Sequence, residues 1–321
     1  MRDGSIFVTG ANGYVGRNLI RHFTARGRPV IGLVRSEGAA KLICSLGATP
    51  VIGDMLTADL ASRMAGAESL IHAAANLDHG SGSGALTENR DGTKRVMAAA
   101  REAGVLSVVH VSSDSVLQDG NPLRGVTETM PYPARPAGAY SAGKAEAERI
   151  ALTASDTMRV MVLRPRMVWG RDDGTALPRL AEMVKTGRFA WISGGSYLSS
   201  TTHIVNLCHA IDLALERGRT GQVYHINDGP ARSFRETVTG LLATQGLTAP
   251  EKSVPRGMMR VTAHIGDRLH RLSNGRLNGP LSFQEYATSA VEITLDITKA
   301  QRELGYLPVI SWEIGLAELR S

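Results

Sequence analysis

SIFVTGANGYVG, residues Ser5–Gly16, runs a short apolar strand (Ile6-Phe7-Val8) straight into a glycine-rich turn and then a helix. Gly10, Gly13 and Gly16 stand at G-x-x-G-x-x-G spacing, a tighter form of the turn that holds dinucleotides at strand–helix junctions. Gly10 lets the chain turn where a side chain would clash. Gly13 lets backbone N–H groups approach a pyrophosphate, and Gly16 lets the helix pack close to the strand. The diphosphate then lies at a helix N-terminus, where unsatisfied N–H groups and the helix dipole favour an anion. A plain glycine turn is the simpler reading. The strand before it and the amphipathic helix after it (Val15, Leu19, Ile20, Phe23) favour the binding turn, with Asn12, Tyr14 and Val15 beside the glycines.

Outward from that turn the chain alternates. Apolar strands are expected at Pro29–Val34, Thr49–Ile52, Ser69–Ala74, Ser107–Ser112 and Arg159–Leu163. Helices are expected at Tyr14–Gly27, Gly38–Leu46, Leu56–Met64, Ala85–Gly104 and Ala137–Thr153. Near-continuous apolar strands separated by helices indicate a parallel sheet covered on both faces, with right-handed crossovers. The fold class is therefore α/β: a Rossmann-type doubly wound parallel sheet with helices on both faces and a smaller C-terminal substrate lobe. Residues 1–168 are read as the dinucleotide-binding domain, its sheet completed by about 222–232, and 169–321 as mainly the substrate lobe. Ligands in such sheets bind at the carboxyl ends of the strands, so the residues after each strand are the candidates.

After the second strand come Arg35 and Ser36. A carboxylate here suits the ribose hydroxyls of NAD; an arginine suits the 2′-phosphate of NADP, which its planar fork binds in a bidentate, charge-assisted way. NADP is thus the expected cofactor, with NAD possible because Glu37 follows. After the third strand, Asp54 is placed to bond the adenine amino group with Met55 packing nearby, or simply to cap a helix. After the fourth, Ala73, Ala74 and Ala75 let backbone lie against a ribose, while His72 within the strand reads as a core histidine. Asn89 either holds a water or carbonyl near the reacting groups or starts its helix.

Of the 321 residues, 43% are hydrophobic and 21% charged, enough for a packed core. Net charge is +6, but the basic residues are dispersed and only 5% are aromatic, so a nucleic-acid partner is not expected. No apolar run reaches the length of a membrane span. Cys44 and Cys208 lie far apart, and the first strand begins close to Met1, which leads us to expect a cytoplasmic chain. No His/Cys spacing suggests a metal site.

Tyr140 and Lys144, four residues apart, share one face of a helix that follows the loop Pro131–Pro136. Read in order, Gly10-x-x-Gly13-x-x-Gly16, Asn89-x-x-Gly92-Thr93, Ser113, Tyr140-x-x-x-Lys144 and Leu163-Arg164-Pro165-x-x-Val168-x-Gly170 resemble the extended short-chain dehydrogenase/reductases, the NAD-dependent epimerase/dehydratase family. The tail Asp296-x-x-Lys299-Ala300 with Leu304-Gly305-Tyr306-x-Pro308 fits too. The chain looks most like the 3β-hydroxysteroid dehydrogenase and dihydroflavonol reductase branch.

The resemblance implies Tyr140 as general acid/base, with Lys144 lowering its pKa from the ordinary value near 10 and holding the nicotinamide ribose. Ser113 orients the substrate oxygen, with Asn89 in support; Pro165 and Val168 join the cofactor contacts. It also implies an oxidoreductase of ketones or secondary alcohols working as a homodimer. A nucleotide-sugar epimerase or dehydratase is the enzyme rival. Ser113-Asp114-Ser115 resembles the dehydratase Thr-Asp-Glu, but Ser115 cannot serve as its base. A cofactor-binding regulatory protein is the rival of another class. The run Ser199-Ser200-Thr201, where sugar-nucleotide members carry an arginine, points to a mainly apolar small-molecule substrate.

In the second lobe, Ser233 and Glu236 have capping-box spacing. The helix opened by Pro255 carries Met258, Val261, Ile265, Leu269 and Leu272 on one face and Arg256, Arg260, His264, Arg268 and Arg271 on another. The plain reading is a lobe helix with a solvated basic face; a lid over the substrate and a membrane-surface helix are the sharper ones.

Overall fold

The computed structural model describes residues 4–277 and 279–320. The first half alternates β1 (Ser5–Thr9), α1 (Tyr14–Thr24), β2 (Val30–Val34), α2 (Glu37–Ser45), β3 (Thr49–Ile52), α3 (Leu60–Met64), β4 (Ala67–His72), α4 (Gly84–Glu102), β5 (Ser107–Val111), β6 (Leu123–Val126), α5 (Ala139–Thr153) and β7 (Arg159–Pro165). The remainder is β8 (Val168–Trp169), α6 (Ala176–Lys185), β9 (Trp191–Ile192), β10 (Leu198–Ser199), β11 (Thr202–His203), α7 (Ile204–Arg217), β12 (Gln222–Ile226), β13 (Arg232–Ser233), α8 (Phe234–Ala243), β14 (Ser253–Val254), α9 (Arg256–Leu272), α10 (Phe283–Ser289), β15 (Ile293–Leu295), α11 (Thr298–Leu304) and α12 (Trp312–Glu318).

Seven parallel strands form one sheet in the order β12-β7-β5-β4-β1-β2-β3. The order reverses between β1 and β4, which opens a crevice at their carboxyl ends. Both faces of the central strands are buried, which is why they read as apolar runs rather than alternating ones, while the edge strand β3 is partly exposed. Ile6 and Val8 enter the core shared with α1 and α7, while Phe7 enters the core shared with α4. The rejoining strand at Gln222–Ile226 pairs with β7 as the sequence suggests. A second sheet, β13-β10-β15-β6, draws β6 from the first half of the chain and β15 from the tail. The tail then returns to the main sheet: the Lys299 ammonium donates to the Val223 carbonyl at 2.9 Å, and the Tyr306 hydroxyl to the Asn227 carbonyl at 2.9 Å.

Local expectations needed revision in places. The helix expected at Leu56–Met64 begins only at Leu60, behind an Asp59 cap, because Asp54 folds residues 54–58 into a turn first. At Ser233 the hydroxyl accepts the Glu236 N–H at 3.1 Å, but the Glu236 carboxylate turns toward Arg232. The complete capping box lies at Ser282 and Glu285 instead. Helix α9 differs most. Its apolar stripe does not face the core: Met258, Val261, Ile265, Leu269 and Leu272 are all exposed, and the buried positions are Ala263 and Gly266. Gly266 lies so close to Gly279 that a Cβ on Gly279 would stand 2.5 Å from the Gly266 Cα.

Candidate active site

The glycine turn is built as its spacing requires. Gly10 has φ +69, and a Cβ there would lie 2.9 Å from the Ala74 backbone. A Cβ on Gly16 would stand 2.2 Å from the Gly10 carbonyl oxygen, so α1 closes directly onto the turn. Gly13 is the N-cap of α1 and brings no capping side chain, which leaves the first N–H groups of the helix open to an anion. Asn12 and Gly13 are exposed, Tyr14 and Val15 half-buried. The Asn12 carbonyl accepts from Arg17 at 3.0 Å. A glycine cradle at an open helix N-terminus fits the pyrophosphate of a dinucleotide.

Around the crevice, Arg35 is exposed just beyond β2, and Ser36 caps α2 by accepting the Ala39 N–H at 3.3 Å. The Asp54 carboxylate accepts the Leu56 N–H at 2.7 Å, so part of its hydrogen-bonding capacity shapes the turn. Met55 packs into the space that Gly92 leaves on α4. Ala73, Ala74 and Ala75 are half-buried, and the Ala74 N–H donates to the Thr9 hydroxyl at 3.2 Å. His72 is a core histidine: it bridges Thr9 at 2.6 Å and Thr93 at 3.0 Å, and burial pushes its pKa down to about 3. Asn89 does not open its helix. It sits inside α4, buried, accepting the Asn76 N–H at 2.7 Å and donating to the Asn76 carbonyl at 3.0 Å, which clamps the loop after β4. Pro165 is buried at the end of β7, and Val168 pairs with Thr202.

Tyr140 and Lys144 are brought to the carboxyl end of β5 by α5, and both are buried. Gly143 between them makes this possible, since a Cβ there would meet the Ala85 carbonyl oxygen of α4 at 2.6 Å. Ser113 follows β5. Its hydroxyl accepts the Ser115 N–H at 3.1 Å and lies toward the Tyr140 phenol. Burial pushes the phenol up to about 12; the Ser113 hydroxyl pulls it back, and the Asp114 carboxylate adds to the rise. The expected lowering by Lys144 is therefore not found. Lys144 donates to the Val111 carbonyl at 2.7 Å, and its own burial pushes it down to about 8, against the pull of Glu148.

Sequence reasoning missed two neighbours, His79 and Glu148, and weighed Asp114 only for a dehydratase role. The His79 ring lies 4.4 Å from that of Tyr140, in a loop that carries no motif. Asp114 forms a buried ion pair with Arg166 at 2.8 Å and accepts from Gln118 at 2.8 Å. Glu148 is buried against Arg164, and also accepts from Ser112 at 2.5 Å and Tyr132 at 2.7 Å. Both acids stand next to positions the motifs do name, and the arginines paired with them in Leu163-Arg164-Pro165-Arg166 were the available signal.

A glycine cradle at the switch point of a doubly wound sheet, beside a Tyr-x-x-x-Lys helix, defines the extended short-chain dehydrogenase/reductase class. The chain belongs to the NAD dependent epimerase/dehydratase family, which residues 6–227 match. It is 42% identical over 318 residues to the 4-hydroxy-2-methyl-3-oxo-4-farnesyl-3,4-dihydroquinoline-1-oxide ketoreductase of Stigmatella aurantiaca, covering 98% of this chain and 95% of that one. It is 30% identical to a 3-beta-hydroxysteroid dehydrogenase of Mycolicibacterium neoaurum, over 98% of this chain and 90% of the relative. Among solved structures, a dTDP-glucose 4,6-dehydratase of Streptomyces venezuelae with NAD bound superposes with a TM-score of 0.75 at 26% identity, covering 100% of this chain and 96% of that one. The protein is an NAD(P)-dependent oxidoreductase of this family.

Proposed function

We propose that the protein is an NADPH-preferring ketoreductase acting on a mainly apolar small molecule. The observation that carries the reading is the pairing of the acids around a buried phenol. Tyr140 is buried at the end of β5, while Asp114 and Glu148, the nearby acids, are tied into buried ion pairs with Arg166 and Arg164. A carboxylate already neutralised by an arginine is poorly placed to drive the elimination that a sugar dehydratase needs.

The bound nicotinamide supplies the hydride. Ser113 donates a hydrogen bond to the carbonyl oxygen and fixes its position. Tyr140 gives its proton to that oxygen as the alcohol forms. Lys144 holds the ribose, and Asn89 keeps the loop at Asn76 against the site. Gly10, Gly13, Gly16 and the start of α1 hold the pyrophosphate, with Asn12, Tyr14 and Val15 beside them. Asp54, Met55 and Ala73–Ala75 border the adenosine, and Pro165 and Val168 the nicotinamide end. Arg35, exposed beyond β2, pairs with the 2′-phosphate of NADPH, and Ser36 adds a hydroxyl there. Residues from 169 onward supply most substrate contacts.

Relatives support the apolar substrate, one being named for a farnesylated quinoline oxide and another for a steroid. So does the polar run Ser199-Ser200-Thr201. Its hydroxyls are spent inside the protein on Arg166, the Leu295 N–H and Asp228, and none is joined by a free cation for a diphosphate. The two free cysteines suit a reducing cytoplasm, and the reading includes a homodimer, which sedimentation of the purified protein checks. Arg35→Asp tests cofactor choice. Wild-type protein should bind NADPH more tightly than NADH by calorimetry, and the variant should lose or reverse that order; equal affinities in the wild type would sink the NADPH assignment.

A further inference from the structure

We infer that α9 is an interfacial helix that docks the protein on an anionic lipid surface. A helix on a water-soluble lobe normally turns its apolar stripe inward. Here the stripe Met258, Val261, Ile265, Leu269 and Leu272 points outward, each residue more than two-fifths exposed, and the helix packs through Ala263 and Gly266. Five large apolar side chains aligned over 15 residues are a patch, not scattered surface hydrophobes.

The rim of the patch selects its partner. Arg260, Arg268 and Arg271 are exposed on this helix, and Arg276 just beyond it. The one carboxylate of the helix, Asp267, turns inward, accepting from Ser81 at 2.6 Å and from the Phe283 N–H at 3.3 Å. A second copy of the chain docking symmetrically through this face would set arginines against arginines. An anionic bilayer satisfies both parts: acyl chains take the apolar stripe, and lipid phosphates take the basic rim.

The inner side of the helix is tied to the candidate site. Asp267 holds Ser81, Ser282 donates to the His79 carbonyl at 2.6 Å, and the His79 ring covers Tyr140. The docking does not rest on the ketoreductase reading.

Co-sedimentation with vesicles of phosphatidylcholine and phosphatidylglycerol, compared with phosphatidylcholine alone, tests the docking on the full chain. Wild-type protein should bind the anionic vesicles, and more weakly as salt rises. The pair Ile265→Glu and Leu269→Glu should lower the partition about tenfold or more, and Arg268→Glu with Arg271→Glu should remove the preference for anionic lipid. All four positions are exposed, so thermal melting and NADPH binding should match wild type, which separates a docking failure from a misread active site. No binding to anionic vesicles at low salt would overturn the proposal, as would binding that the α9 variants leave unchanged. A wild-type dimer that Ile265→Glu splits into monomers would hand the stripe to a second copy and overturn it too.

Discussion

Tyr140 is where burial and chemistry meet. With its phenol pushed up to about 12, the residue stays protonated across the working range and is poised to give a proton rather than take one. Lys144, pushed down to about 8, is the group that titrates within reach. A cation whose charge supports the reaction is lost as pH rises through its pKa. So kcat/KM for reduction should be flat to about pH 7 and fall above about pH 8, with no limb from Tyr140 below pH 10. A fall beginning near pH 6 would point to a histidine instead. Tyr140→Phe keeps the ring and removes the proton; turnover should drop about 10²–10⁴-fold with cofactor affinity and melting temperature unchanged. Tyr140, Lys144 and Ser113 were singled out because their motifs fix type and spacing, and the fold brings them to the carboxyl end of β5. The sign of the phenol's shift was not, since desolvation depends on what the fold closes over the ring.

Helices α4 and α5 form the element pair on which the site rests. Gly143→Ala, in the turn of α5 that carries Tyr140 and Lys144, would press a methyl group into the Ala85 carbonyl of α4, at 2.6 Å. Overpacking of this kind typically costs about 1–3 kcal/mol, and urea melts should show that loss together with reduced turnover. Glu148→Ala is harsher. It leaves the Arg164 guanidinium buried and unpaired, so a loss of about 3–5 kcal/mol is expected, and adding Arg164→Met should restore part of it. Strands β1, β2, β5 and β7 were legible because burial on both faces writes itself as continuous apolar sequence. The direction of α9 was not. Its period reveals the stripe, but which face is inward was settled by the close approach of Gly266 and Gly279, a contact between distant parts of the fold.

At the scale of the whole molecule, the main sheet presents a dinucleotide cradle, and two arginines of the substrate side are already engaged within the protein. Arg166 is locked by Asp114, Ser199 and the Thr288 carbonyl, and Arg256 donates to the Ala290 carbonyl and lies over the Tyr197 ring. Calorimetric titration of UDP or dTDP into the NADPH-loaded protein should therefore show no micromolar binding; such binding would restore the sugar-nucleotide reading. The parallel doubly wound sheet and the place of the cradle after its first strand followed from the order of motifs along the chain. The lobe did not, because its second sheet joins β6 to β15 across most of the chain length, and no local pattern records that pairing. The most direct measurement is NADPH consumption against alcohol formation with an apolar cyclic ketone. One NADPH oxidised per alcohol formed, abolished by Tyr140→Phe, is the predicted result. A cofactor that stays bound and is regenerated with no net oxidation, or turnover that survives the loss of the phenol, would contradict it.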